Sequence, residues 1–166
     1  EPEKQSCINA GMSSFMGKPL LRNTLKEELL KIWIERTLIK FDQGMAEDLN
    51  NEFDQVSKTL KNLRRDIGDD ATSELIQDFI ETTPARLDEM SKCLAESAMD
   101  DLRRLAHSYK SVCQIYGLNL MSNLCAELEI TALSGGDQTS ETLISQIKEL
   151  FDSVLPIIQY NFLSEE

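Results

Sequence analysis

Asp100-Asp101-Leu102-Arg103-Arg104-Leu105-Ala106-His107-Ser108-Tyr109-Lys110-Ser111-Val112-Cys113-Gln114-Ile115-Tyr116-Gly117 is the stretch on which the reading of this chain turns. Leu102, Leu105, Ala106, Tyr109, Val112, Cys113 and Tyr116 recur at helical spacing and form one apolar stripe, so the segment reads as an amphipathic helix that ends at Gly117. At about 100° per residue, His107 lies roughly 160° from the centre of that stripe and faces solvent. Arg103, Arg104, Lys110, Ser111 and Gln114 fall at i−4, i−3, i+3, i+4 and i+7 from it, the positions that neighbour it on a helix surface. The only histidine of the chain is therefore ringed by cations and hydrogen-bond donors.

An exposed histidine by itself is an ordinary surface residue. A neutral imidazole, however, offers a nitrogen lone pair as a nucleophile. Phosphoryl transfer asks a protein mainly for positioning and for charge on the phosphoryl oxygens, which Lys110 and Arg103 are placed to supply. The small Ser111 leaves room for a partner to approach.

The rest of the chain reads as helix. A short helix is expected around Gln55-Asp66, ending at Gly68. Asp69-Asp70 then offer an N-cap for a long helix from about Ala71 to Glu96, kinked at Pro84. Beyond Gly117, a helix from about Asn119 to Leu133 turns Leu120, Leu124, Leu128 and Ala132 to one side and is broken at Gly135-Gly136. Thr139 or Ser140 would cap the last helix, whose stripe is Leu143, Ile147, Leu150, Val154, Ile158 and Phe162, with a kink or break at Pro156. Four long amphipathic helices with short connections predict an all-α, antiparallel four-helix bundle.

Composition narrows the function. The chain has 166 residues, 41% hydrophobic and 28% charged, the make-up of a globular domain with one core. A net charge of −12 argues against nucleic acid and against anionic membrane surfaces, and no apolar run is long enough to span a bilayer. Cys7, Cys93, Cys113 and Cys125 lack metal-ligand spacing and read as reduced thiols, so no metal site is expected in this chain.

Three stretches carry a family resemblance: Phe79-Ile80-Glu81-Thr82-Thr83-Pro84-Ala85-Arg86-Leu87; Asp101 to Ser111 with Gly117; and Leu124-Cys125-Ala126-Glu127-Leu128-Glu129. Together they resemble a histidine-containing phosphotransfer (HPt) domain, over roughly residues 54–163. Ser111 departs from the glycine that often follows the lysine in that family. The resemblance implies a phosphorelay carrier of two-component signalling. His107 accepts a phosphoryl group from a receiver aspartate and passes it to the aspartate of a response regulator, with Lys110 balancing charge and Arg103, Arg104, Ser111 and Gln114 at the docking surface. It implies no cofactor in this chain and magnesium on the partner receiver. A second reading is a docking module that binds receivers or kinases without being phosphorylated.

Residues 7–20 resemble the end of a receiver domain, with Lys18-Pro19 at the place of that family's lysine and proline. On this reading residues 1–40 are the truncated end of a receiver, 41–53 a linker and 54–166 the HPt domain. The receiver's last helix would span about Arg22–Lys40, with Leu25, Leu29, Ile32 and Trp33 inward. Its apolar face would otherwise lie bare, so residues 20–39 are expected to pack on the bundle or in a dimer. The parent chain would be a hybrid sensor histidine kinase anchored in a bacterial inner membrane. This segment would be its cytoplasmic carrier, with no ATP-site motif of its own.

Overall fold

The computed structural model describes residues 9–10, 21–38, 43–135 and 137–163, the side chains of 23, 43, 44 and 161–163 excepted. Cys7, Lys18, Pro19, Gly136 and the Phe162 side chain lie outside the described part. Among residues 21–163, the described part forms six helices and no strand: α1 (Arg22–Leu38), α2 (Gln43–Ile67), α3 (Asp69–Ala95), α4 (Met99–Ile115), α5 (Asn119–Ser134) and α6 (Asp137–Leu163). Helices α3 to α6 pack in a ring, each against its two neighbours, and the short connections make successive helices antiparallel. Helix α2 lies against α3, α5 and α6, and α1 rests on α2 and α6.

Helix ends follow from local backbone chemistry. Tyr116 closes α4 and Gly117 takes φ +74°; the Gly117 and Leu118 amides donate to the carbonyls of Gln114 and Cys113 at 3.2 and 3.0 Å. This is a Schellman motif. A Cβ on Gly117 would stand 2.5 Å from Thr59 Oγ1, so glycine is needed there for contact with α2 as well as for its backbone angle. The end of α3 repeats the motif without glycine: Ser97 holds φ 54°, and the Ser97 and Ala98 amides donate to Leu94 and Cys93.

The expected stripes form the core. Leu102, Ala106, Tyr109, Cys113 and Tyr116 are buried, as are Leu143, Ile147, Leu150, Val154 and Ile158 of α6. Leu105 and Val112 pack against the core edge. Phe79 of α3 is central, its ring centroid 4.4 Å from Tyr116, 5.9 Å from Phe151 and 6.4 Å from Tyr109. The two tyrosines bury their rings and still bond: Tyr109 donates to Thr83 Oγ1 at 3.1 Å and Tyr116 to the Leu75 carbonyl at 2.8 Å. Small buried residues, Ala106 and Cys113 facing Ser122, Cys125 and Ala132, let α4 and α5 approach closely. A hydrogen bond with Cys125, together with burial, pushes the Cys113 thiol well above its ordinary range. Cys93, Cys113 and Cys125 are free thiols.

The structure departs from the sequence reading in several places. Residues 43–53 are helical and open α2, with Leu49 and Phe53 fully in the core. Leu49, Phe53, Val56 and Leu60 form a helical stripe that outweighs the turn-prone Asn50-Asn51. Asp69 and Asp70 are the first turn of α3 rather than its cap. Gly68 takes the cap position at φ 88°, and the two acids favour the positive helix end. Helix α6 starts at Asp137, and the buried Ser140 Oγ makes no hydrogen bond with a described residue. Helices α3 and α6 run on through Pro84 and Pro156, so of the kink or break expected at Pro156 the break does not occur. On α5, Met121, Cys125, Leu128 and Ala132 make the buried face, while Leu120 and Leu124 pack at its edge.

Helix α1 packs on its own bundle by a face that matches the expected one only in part: Trp33 turns inward as read, whereas Leu25 and Leu29 do not. Leu30, Trp33, Ile34 and Leu38 meet the core, Thr37 is buried, and Trp33 lies 6.1 Å from the Phe53 ring. Leu25 and Leu29 are exposed together with Leu21. Apolar residues surround much of α1, so periodicity alone offers two faces, and contact with α2 and α6 selects one.

Candidate functional site

The α4–α5 hairpin builds the site. His107 and Glu129 are each eleven residues from Leu118, half of the 22 that separate them, and an antiparallel hairpin brings such positions to the same level. His107 is 62% exposed, and its Nδ1 lies 2.9 Å from Oε1 of Glu129. The other carboxylate oxygen, Oε2, accepts from the Lys110 ammonium at 2.8 Å. One carboxylate on α5 thus holds two side chains of α4.

The electrostatics fix the imidazole's tautomer. The hydrogen bond from Lys110, and after it that from His107, holds the Glu129 carboxyl below the usual carboxylate range. An ionised carboxylate only accepts hydrogen bonds. Nδ1 must therefore carry the hydrogen, and in the neutral ring the lone pair falls on Nε2, at the distal edge of an exposed imidazole. This arrangement suits nucleophilic attack by Nε2. The positive charge that the ring then acquires is met by Glu129.

Four more residues singled out in the sequence share the outer side of α4. Ser111 and Gln114 are exposed. Arg104 is exposed and paired with Asp101 in the preceding turn. Arg103 is half-buried and makes no ion pair or hydrogen bond with a described residue. Lys110 differs from the expectation in that Glu129 already engages its charge.

Glu129 went unrecognised as a site residue in the sequence, where it is one acid among 29. The signal that finds it is its symmetry with His107 about the Gly117-Leu118 turn. Three exposed apolar residues of the same hairpin were missed as well: Ile115 on α4 and Ile130 and Leu133 on α5 are 52%, 67% and 69% exposed.

Helix α2 braces the turn that aligns the two residues. Glu52, only 3% exposed, accepts from the Leu120 amide at 2.8 Å and stands in for the side-chain cap that Leu118 cannot provide. Burial pushes its carboxyl above the ordinary value, and hydrogen bonds from the Leu120, Asn119 and Met121 amides oppose that shift in part.

An all-α bundle that presents one exposed, carboxylate-oriented histidine on its central hairpin defines the class of this protein. Residues 74–155, which contain α4, α5 and most of α3 and α6, match the family model described as Hpt domain, which supports an HPt domain there. No curated protein matches the chain. No solved structure matches it either. Among the described residues, no helix is long and apolar enough to cross a membrane.

Proposed function

We propose that this chain is a phosphorelay carrier in two-component signalling, with His107 as the residue that is phosphorylated. The reading is supported above all by the contact between His107 Nδ1 and Glu129 Oε1, which leaves Nε2 free at the surface. In the transfer, the Nε2 lone pair attacks phosphorus, the P–O bond to the donor aspartate breaks and the aspartate leaves as a carboxylate. The hydrogen stays on Nδ1, donated to the Glu129 carboxylate. Passage to a response-regulator aspartate is the reverse, and magnesium belongs to the receiver in both steps. Lys110 holds Glu129 in place and keeps a second positive charge near the ring.

Docking would use Ser111, Gln114 and Arg104 with the apolar Ile115, Ile130 and Leu133, a small patch suited to a transient partner. The receiver-like sequence around Lys18-Pro19 makes a receiver of the same parent chain the first donor to test. Incubation with a phosphorylated receiver is expected to place an acid-labile label on His107. A wild-type chain that binds the receiver but takes no label would favour the non-phosphorylated docking module, and a label retained by His107→Gln would overturn the assignment.

A further inference from the structure

Arg103 is an unusual cation in this chain. Acidic residues outnumber Lys and Arg by 29 to 17, yet this half-buried guanidinium makes no ion pair with a described residue. Its neighbours are differently placed: Arg104 is held by Asp101, and Lys110 by Glu129.

Helix geometry puts Arg103 beside the His107 ring, one turn nearer the N-terminus of α4. Side chains of a helix lean toward its N-terminus, so the imidazole lies over the turn that contains Arg103 and Arg104. Glu129 takes Nδ1, so Nε2 is on the side of the ring away from that carboxylate. Counting about 100° per residue, Arg103 lies roughly 40° and Lys110 roughly 60° from His107 on the same side, while Arg104 lies roughly 60° away on the other. Lys110 occupies this side because it shares Glu129 with the histidine, so α5 borders Arg103 as well. The charged groups around Nε2 are then Arg103, Arg104 with Asp101, and, one ring edge away, Lys110 with Glu129.

We infer that Arg103 is the cation that binds the phosphoryl group on His107, its guanidinium donating to phosphoryl oxygens while Lys110 remains with Glu129. This rests on the phosphocarrier reading above. A planar guanidinium donates two parallel hydrogen bonds to phosphoryl oxygens, a geometry that an ammonium cannot offer. The assignment also gives a half-buried, unpaired arginine an anionic ligand.

The test separates this inference from the reading beneath it. Phosphoramidate phosphorylates histidine without a receiver: Nε2 forms the N–P bond, the N–P bond of the reagent breaks and ammonia leaves. Labelling of the wild-type chain at His107 checks the reading alone. The 31P shift of the labelled protein, followed against pH, then gives the second ionisation of the phosphoryl group. A neighbouring cation favours the dianion, so Arg103→Gln is expected to raise that pKa by about half a unit, a modest shift because the site is open to solvent. Arg103→Lys, which keeps the charge but loses the paired donors, should fall between wild type and Arg103→Gln, and Arg104→Gln should match wild type. Loss of a merely structural side chain would not move this ionisation. An Arg103→Gln protein that is labelled and titrates like wild type overturns the inference and leaves the carrier intact. A wild-type chain that takes no label on His107 overturns both.

Discussion

Glu129 and His107 stand at equal distances on either side of Leu118, and the 2.9 Å contact between them assigns the two imidazole nitrogens different roles. Nδ1 donates to Glu129, and Nε2 is the nitrogen left free to act as nucleophile in the proposed transfer. Glu129→Gln keeps an acceptor but removes the charge that meets the phosphorylated ring, so it should slow labelling of His107 about tenfold. The folded-state pKa of Glu129 is depressed, so its contribution is present above the ordinary 4.5 and is lost as pH falls through the folded value. Carboxyl titration by NMR should place the Glu129 midpoint below 4.5, and acidification through it should release Lys110 and His107 together.

Glu52 predicts the opposite slope. Folding raises its pKa, so the protonated form is the one the fold favours. That contribution is complete below the ordinary 4.5 and is lost as pH rises through the folded value. Glu52→Gln should remove this slope and leave the protein at least as stable at pH 7. Glu52→Ala deprives the Leu120 amide of its acceptor and should cost about 1–3 kcal/mol by urea unfolding.

Ser97 and Gly117 occupy the same position of the same motif, with φ 54° and 74°. Ser97→Gly relieves a left-handed non-glycine residue and should stabilise the protein by about 1 kcal/mol. Gly117→Ala adds a Cβ 2.5 Å from Thr59 Oγ1. It should cost about 2 kcal/mol or more, measured by the same denaturation.

Ile130 and Leu133 flank the site on α5 and are largely exposed. Replacing both by Glu should slow phosphoryl transfer from a receiver about tenfold by weakening docking, and should leave labelling by phosphoramidate unchanged. An equal loss in both assays would show damage to the histidine itself.

Much of this arrangement was legible in the sequence because it rests on local rules. The stripe from Leu102 to Tyr116 set the buried side of α4 and so put His107 outside, and Gly68, Gly117 and Gly135 marked the helix ends. What escaped depends on contacts between helices. Glu129 looks like any solvated acid until the hairpin sets it opposite His107. Glu52 lay in a segment read as a linker, where the Leu49-Phe53-Val56-Leu60 spacing was the signal for helix. The face of α1 was legible only in part: Trp33 turns inward as read, but Leu30, Ile34 and Leu38 replace Leu25 and Leu29, a choice made by packing on α2 and α6.

The most direct measurement of the central claim is a 15N and 31P NMR spectrum of the His107 ring after treatment with phosphoramidate. The account predicts phosphorus coupled to Nε2 of His107, with Nδ1 still protonated against Glu129, and no signal in His107→Gln. Phosphorus on Nδ1, or an imidazole that remains unmodified while the reagent is consumed elsewhere on the chain, would contradict it.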